Sequence, residues 1–248
     1  MAKPTLIFTP GAWHSPECFG AVISKLEAFG YKCIGLSLKA VGHEPPVQTL
    51  QPDIDGVNAG VLDELQKGND VMVVPHSWSG TVVTGALEGL GKADRERAGE
   101  KNGVVKVAYI AAFMPFEGVS LSQAMGGKPI EWWDEQGPWL LPKTPEKILY
   151  NDLPDETAAF WASKLQPHSH ATNFVGVPTA SWRKIPSSYL LCEDDRAIPL
   201  FIQEAMVKAC QDAGATIDTT KIAASHSPFL SKPDEVVEFL RRAAGEAF

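Results

Sequence analysis

Short apolar runs alternate along the chain with longer segments in which apolar residues recur at helical spacing. The apolar runs, rich in β-branched residues, predict strands at 5–9, 31–36, 70–74, 104–111, 188–192 and 216–222. The intervening segments predict helices at 16–29, 53–68, 81–90, 200–213 and 234–244. This alternation is typical of an α/β fold, in which a parallel sheet is covered by helices on both faces.

The rhythm changes between residues 115 and 184, which are irregular and rich in proline and glycine. Five of the seven tryptophans fall in this segment: Trp132, Trp133, Trp139, Trp161 and Trp182. We predict that this insertion forms a helical cap over the carboxyl edge of the sheet. Residues 1–114 and 185–248 are then predicted to form the core.

Composition and charge narrow the classes of partner. The 248 residues suit one sizeable domain, and the net charge of −8 disfavours binding to nucleic acid or to an anionic membrane. The first residues contain only a four-residue apolar run before a turn, which predicts no signal peptide. The four cysteines are scattered without the spacing of a metal site, so we expect a cytoplasmic protein with reduced thiols.

A serine follows the third predicted strand, in the run Pro75-His76-Ser77-Trp78-Ser79-Gly80. A sharp turn between a strand and a helix exposes a serine hydroxyl, and the positive end of the helix favours developing negative charge. The usual motif has glycine two residues before and two residues after the serine, whereas this chain has Pro75 and Ser79. Taken alone, the run fits a reactive Ser77 and an ordinary turn equally well.

Two later segments contain the groups that a serine nucleophile needs, a base and a carboxylate that orients the base. Asp195 follows the fifth predicted strand, four residues before the proline that opens a helix, and is the predicted acid; Asp194 is the alternative. His226 lies between the last strand and the last helix, at the same edge of the sheet as Ser77. Each residue alone also fits a structural role, as an acid that caps a helix or a histidine bonded to backbone.

A tight turn that contains glycine, Pro10-Gly11-Ala12-Trp13-His14, follows the first strand. Such a turn can direct a backbone N–H group at a developing oxyanion. We predict that the backbone N–H groups of Ala12 and Trp78 form this pair. Because all of these pieces follow strand ends in a consistent order, Ser77 is the predicted nucleophile.

These motifs resemble those of the α/β-hydrolases, in particular the compact branch of plant methylesterases and hydroxynitrile lyases. The resemblance runs from about residue 4 to residue 244 and depends on residues 11–14, 76–80, 192–199 and 225–233. It implies a six-stranded parallel sheet with a helical cap, no cofactor, and a triad of Ser77, Asp195 and His226. The hydroxynitrile lyases have a threonine and a lysine where this chain has Gly11 and Ser227, so cyanohydrin cleavage is not expected.

Six residues are predicted to contact substrate: Gly11, Trp13, His14, Trp132, Trp133 and His168. A structural hydrogen bond for His14, and packing of the cap for the tryptophans, remain alternatives. His168 and His170 lie two residues apart without an obvious third ligand, so no metal is expected.

The expected function is that of a serine hydrolase for a small, largely apolar carboxylic ester or lactone. A C–C bond hydrolase, an acyl-transfer or cyclising enzyme, and a receptor-like binder with negligible turnover are the alternatives. The expected partner is a small molecule, and the sequence leaves the oligomeric state open, with a homodimer among the options.

Overall fold

The computed structural model describes residues 3–247, whose centre is a six-stranded parallel sheet. The strands of the chain are β1 (Thr5–Thr9), β2 (Cys33–Gly35), β3 (Val71–Pro75), β4 (Val104–Ile110), β5 (Trp133–Gln136), β6 (Trp139–Pro142), β7 (His168–Ser169), β8 (Ser187–Cys192) and β9 (Ile217–Ile222). The large sheet has the order β2-β1-β3-β4-β8-β9, with every neighbouring pair parallel. The predicted α/β class is therefore confirmed.

Helices follow most of these strands. They are α1 (Gly20–Ala28), α2 (Gln51–Gln66), α3 (Ser79–Ala86), α4 (Lys92–Arg97), α5 (Leu121–Ala124), α6 (Pro145–Ile148), α7 (Asp155–Ala162), α8 (Leu200–Asp212), α9 (Pro228–Ser231) and α10 (Pro233–Ala243). The predicted helix at 16–29 is divided, because Pro16–Phe19 forms a 3-10 helix before α1 begins. Among residues 3–247, no helix is both long and apolar enough to cross a membrane.

The strands bury side chains on both faces of the sheet. In β3, Val71 and Val73 belong to the core that contains residues of α2 and α3, whereas Met72 and Val74 belong to the core that contains residues of α1 and α10. Successive side chains of a strand point to opposite faces, so a strand covered on both sides needs a continuous apolar run. This is why the run at 71–74 predicts a central strand.

The segment 115–184 contains α5, α6 and α7 together with a three-stranded antiparallel sheet in the order β5-β6-β7. This small sheet adds to the predicted helical cap. It lies against the carboxyl end of β1, because Trp13 Nε1–H donates to the carbonyl oxygen of Leu140 at 2.8 Å. The division into core and cap stays a prediction, but the segment contributes directly to the region around Ser77.

A buried carboxylate at the end of α2 joins three elements at the opposite edge of the sheet. The Glu64 side chain is fully buried, and its oxygens accept hydrogen bonds from Thr5, Lys32, Lys67 and Asn69. Burial by itself raises the pKa of this carboxyl group, but these hydrogen bonds outweigh it and lower the pKa to about 2.

We expect Glu64→Gln to lower the free energy of unfolding by about 1–3 kcal/mol at neutral pH, because it removes the charge that these donors stabilise. Since the folded-state pKa of Glu64 lies below its usual value of 4.5, this stabilisation is complete above that value and is lost as the pH falls toward 2.

Urea unfolding at several pH values measures the effect. The difference between wild type and variant should shrink as the solution becomes acidic. Asp63→Asn is the matched control, since Asp63 is exposed and its carboxylate, among residues 3–247, pairs with Lys67 alone. A difference that stayed constant with pH would contradict the assignment.

Candidate active site

Ser77 lies on the turn between β3 and α3 with a φ of 53°, in the left-handed region. The turn is fixed by its neighbours: His76 N–H donates to the carbonyl of Thr9 at 3.1 Å, and Phe113 N–H donates to the carbonyl of Ser77 at 3.1 Å. A positive φ is uncommon for serine and persists only where surrounding contacts impose it. The ends of β1 and β4 thus hold the strained turn.

Two glycines allow neighbouring residues to approach closely at this turn. A Cβ atom on Gly80 would overlap the carbonyl oxygen of Phe113, and one on Gly11 would lie 2.8 Å from the Cβ of Ser77. Neither position therefore has room for a side chain. The glycines therefore bring the loops after β1 and β4 against the serine turn.

Ser79 stands where the usual motif has glycine, and its hydroxyl is bonded within the turn. Its Oγ donates to the carbonyl oxygen of Thr9 at 2.7 Å and accepts from His76 N–H at 3.1 Å. The side chain is fully buried. The hydroxyl of Ser79 therefore adds a further hydrogen bond between the turn and β1.

His226 connects Asp195 with Ser77 through its two ring nitrogens. Nδ1 lies 2.7 Å from Asp195 Oδ2, and Nε2 lies 2.8 Å from Ser77 Oγ. Because an ionised carboxylate only accepts, Nδ1 carries the proton, and Nε2 accepts from the serine hydroxyl. The structure therefore brings the three predicted residues together. All three are buried, and Ser77 is the most exposed of them at 8%.

Asp195 is held in place by donors from the loop after β8 and from α8. Its Oδ1 accepts from the backbone N–H groups of Ala197 and Ile198, both at 2.8 Å. Its Oδ2 also contacts Gln203 Nε2 at 3.3 Å. Asp194, the alternative from the sequence, is exposed, so Asp195 is the carboxylate that reaches the imidazole.

The residues of the predicted oxyanion pair, Ala12 and Trp78, both line a cavity beside Ser77. Among residues 3–247, neither of their backbone N–H groups donates to a protein acceptor. Trp13, with a φ of 67°, sharpens the turn after Ala12. Both N–H groups are therefore available to a ligand oxygen, and their role stays a prediction.

His14 lies behind the turn after β1 and does not line the cavity. Its Nδ1–H donates to the carbonyl oxygen of Ala12 at 2.8 Å, and its Nε2 lies 2.7 Å from the Tyr150 hydroxyl. Burial lowers the pKa of His14 to about 4, so the ring is neutral at neutral pH. His14 therefore forms structural hydrogen bonds, which was the alternative to the predicted substrate contact.

His76 packs directly under His226, with the two ring centroids 4.7 Å apart. Its Nε2–H donates to the backbone carbonyl of His226 at 2.9 Å. Burial, and then the neighbouring rings of His226 and His14, lower the pKa of His76 well below its usual value. His76 therefore supports His226 as a neutral ring.

The cavity beside Ser77 has mostly apolar walls. Of the predicted substrate contacts, Trp13, Trp132 and Trp133 line it. Seven further apolar residues of the wall were not predicted from the sequence: Phe113, Leu121, Met125, Ile130, Leu140, Ala197 and Ile198. Asn173 is a polar group in the wall, and the Nε1–H of Trp133 has no acceptor among the described residues.

Gly11 and His168 do not line this cavity. Gly11 instead packs closely against the Cβ of Ser77. His168 packs edge-on against Trp78, with ring centroids 4.6 Å apart, and bonds through Nε2 to Thr172 Oγ1 at 3.1 Å. Burial lowers its pKa to about 3, so His168 backs the cavity wall as a neutral ring.

Two residues at the site gave no signal in the sequence. Gln203 reaches Asp195 from α8, and Tyr150 reaches His14 from the segment between α6 and α7. Within the described chain, no group of three or more His, Cys, Asp or Glu side chains is arranged to hold a metal ion.

A model of the alpha/beta hydrolase family matches residues 6–239. The chain is 32% identical to the protein called "Alpha/beta hydrolase nvfD" of Aspergillus novofumigatus, over 100% of this chain and 99% of that protein. It is 30% identical to "Probable hydrolase R7" of a Phoma species, over 99% of this chain and 100% of that protein.

Solved structures of other proteins have the same fold as this chain. The crystal structure of the methylesterase MES16 from Arabidopsis superimposes with a TM-score of 0.74 at 20% identity, over 97% of this chain and 98% of that one. Plant methylesterases are thus among the similar proteins, and the resemblance inferred from the motifs is confirmed.

Replacement of Gly80 tests the close approach at the serine turn. We expect Gly80→Ala to lower the free energy of unfolding by more than about 2 kcal/mol, because the new methyl group collides with the backbone of Phe113. Thermal or urea unfolding measures the change.

The matched control is Gly56→Ala in α2, where a Cβ meets nothing within 4 Å. That variant should be stabilised by about 0.5–1 kcal/mol through helix propensity. Equal effects of the two replacements would contradict the steric argument.

Proposed function

Because the chain belongs to the alpha/beta hydrolase family, we propose that it is a serine hydrolase that cleaves a small, largely apolar carboxylic ester or lactone. The observation that carries the proposal is the continuous line of contacts from Asp195 through His226 to Ser77, at 2.7 and 2.8 Å. This line ends at a cavity with apolar walls.

In the first half of the reaction, Ser77 Oγ attacks the acyl carbon while its proton passes to His226 Nε2. The N–H groups of Ala12 and Trp78 stabilise the oxyanion of the tetrahedral intermediate. His226 then gives the proton to the leaving oxygen, the C–O bond of the substrate breaks, and the acyl group remains on Ser77.

In the second half, His226 Nε2 takes a proton from water as its oxygen attacks the acyl carbon. A second tetrahedral intermediate forms, and the bond to Ser77 Oγ breaks as the proton returns to that oxygen. Asp195 keeps the proton of the imidazole on Nδ1 throughout and stabilises the imidazolium while it exists. The products are an acid and the regenerated enzyme.

The class of substrate is inferred from the cavity. Walls of tryptophan and aliphatic side chains favour an apolar substrate, and the buried position of Ser77 favours a small one. Asn173 adds a polar side chain to this wall. An ester or lactone with one apolar part fits these groups.

The direct test is Ser77→Ala. We expect it to lower the turnover of activated esters by about 10⁴-fold or more and to abolish covalent labelling by a serine-directed phosphonate, because no other group supplies the nucleophile. Steady-state kinetics and mass spectrometry of the labelled protein measure these effects. Ser163→Ala is the control, since Ser163 is an exposed residue that bonds only within its own turn.

Turnover retained in Ser77→Ala would overturn the proposal. Product analysis separates the remaining chemistries: an acid and an alcohol or a ring-opened acid support hydrolysis. A cleaved carbon–carbon bond or a transferred acyl group would point to the other enzymatic readings. Saturable binding with a single burst and no further turnover would point to a receptor-like protein.

The aromatic wall is tested separately by Trp132→Ala. Trp132 packs edge-on against Trp13, with centroids 5.7 Å apart. We expect its removal to lower kcat/KM for aromatic esters by about 10- to 100-fold relative to acetyl esters of small alcohols, because an apolar contact worth about 1–3 kcal/mol is lost.

Kinetics on a matched series of esters measures this shift. Trp139→Ala serves as control, because Trp139 belongs to the same segment and is half-buried, but does not line the cavity. An equal loss on all esters, or an equal effect of the control, would argue against a substrate-binding wall.

A further inference from the structure

Four consecutive residues between α6 and α7 each form a hydrogen bond to a loop of the proposed active site. We call residues 149–152 the brace segment. They are Leu149, Tyr150, Asn151 and Asp152, and none of them lines the cavity beside Ser77. Their contacts reach the turn after β1, the loop after β8 and the loop after β9.

Tyr150 holds the turn after β1 through His14. The carbonyl oxygen of Ala12 only accepts, so His14 donates to it from Nδ1–H, and its neutral Nε2 is left as an acceptor. The Tyr150 hydroxyl therefore donates to Nε2, at 2.7 Å. This chain of two bonds fixes the peptide that follows the predicted oxyanion donor. Tyr150 and His14 are both buried.

Two members of the brace segment hold the residue before His226. The backbone N–H of Ser225 donates to Asp152 Oδ2 at 2.9 Å, and the hydroxyl of Ser225 donates to the carbonyl oxygen of Leu149 at 3.2 Å. Ser225 is fully buried. The backbone that leads into His226 is thus bonded at two points to the insertion.

The remaining member contacts the loop of the acid. Asn151 Nδ2 donates to the carbonyl oxygen of Asp194, the neighbour of Asp195, at 3.2 Å. Arg196 adds a second bond beside it, from Nη1 to the carbonyl oxygen of Lys147 at 3.2 Å. All three loops therefore meet the same stretch of chain.

We infer that the brace segment sets the relative positions of the oxyanion turn, the acid loop and the histidine loop, and that Tyr150 and Asp152 are positioning residues of the reaction. The inference rests on the proposed function. Tyr150 and Asp152 contact His14 and Ser225 and do not line the cavity. They can therefore affect the reaction only through the positions of the reacting groups. Small errors in that geometry reduce the rate of the chemical step.

The first variant is Tyr150→Phe, which removes one hydroxyl and keeps the ring edge-on to His14. We expect kcat per active site to fall by about 10- to 100-fold with KM changed less than about 2-fold. Burst titration with a phosphonate counts the active sites, and thermal unfolding checks the fold. Tyr31→Phe is the matched control, because the Tyr31 hydroxyl is bonded to Glu246, at the opposite edge of the sheet; its kcat should not change.

The second pair of variants concerns Asp152. Asp152→Ala removes the acceptor for Ser225 N–H and should lower kcat by a similar factor, whereas Asp152→Asn keeps an acceptor oxygen and should restore most of it. An unchanged kcat in both Tyr150→Phe and Asp152→Ala with the fold intact, or a change in KM alone, would overturn the inference.

A readout without substrate separates this inference from the proposed function. In protein labelled with ¹⁵N-histidine, the proton on His226 Nδ1 should give a resonance in wild type and in Asp152→Asn, and a shifted or broadened one in Asp152→Ala. If turnover does not depend on Ser77, the proposed function fails. The resonance still decides the brace: a change in Asp152→Ala supports it, and identical spectra contradict it.

Discussion

The strained turn at Ser77 depends on two glycines, at positions where no side chain would fit. Gly11 brings the turn after β1 against Ser77, and Gly80 brings α3 against the backbone after β4. The hydroxyl of Ser79 then bonds the turn to β1. A serine with a positive φ is costly in isolation, so the surrounding strands hold a conformation that the turn does not favour by itself. This placement puts Ser77 beside the cavity, next to the predicted oxyanion groups and in contact with His226.

The electrostatics of the site depend on the neutrality of the buried rings beside His226. Burial lowers the pKa of His14 to about 4 and that of His76 well below its usual value. In the proposed reaction His226 accepts a proton, and either ring as a cation would oppose the positive charge that it acquires. Because both stay neutral, neither ring would oppose the attraction between Asp195 and the imidazolium of the proposed reaction. His76 and His14 can therefore serve as supports through their hydrogen bonds.

The sequence predicts the sheet and the residues at its carboxyl edge because buried strands produce apolar runs and parallel strands end at the same edge. It favours Asp195 over Asp194 by the distance to the proline that opens the next helix, but it left Asp194 as an alternative, since only the folded backbone decides where adjacent loop residues point. It predicted that His14 contacts the substrate, whereas the ring bonds to Ala12 and Tyr150 outside the cavity. The spacing of residues does not show which groups the ring nitrogens contact. Tyr150 carries no motif, and its contact spans 136 residues of chain. The small sheet in the insertion was missed because its strands are two to four residues long.

The contacts of residues 149–152 bear on how such folds can be recombined. An inserted cap is commonly regarded as a module that can be exchanged between related enzymes to alter what they accept. In this protein the same insertion that carries the cavity tryptophans also donates to, or accepts from, the loops around Ala12, Asp194 and Ser225. A chimera with a foreign cap would therefore replace these hydrogen bonds to the loops of the proposed active site along with the walls of the cavity. The useful crossover points lie within the insertion, on either side of α6 and α7, rather than at its ends.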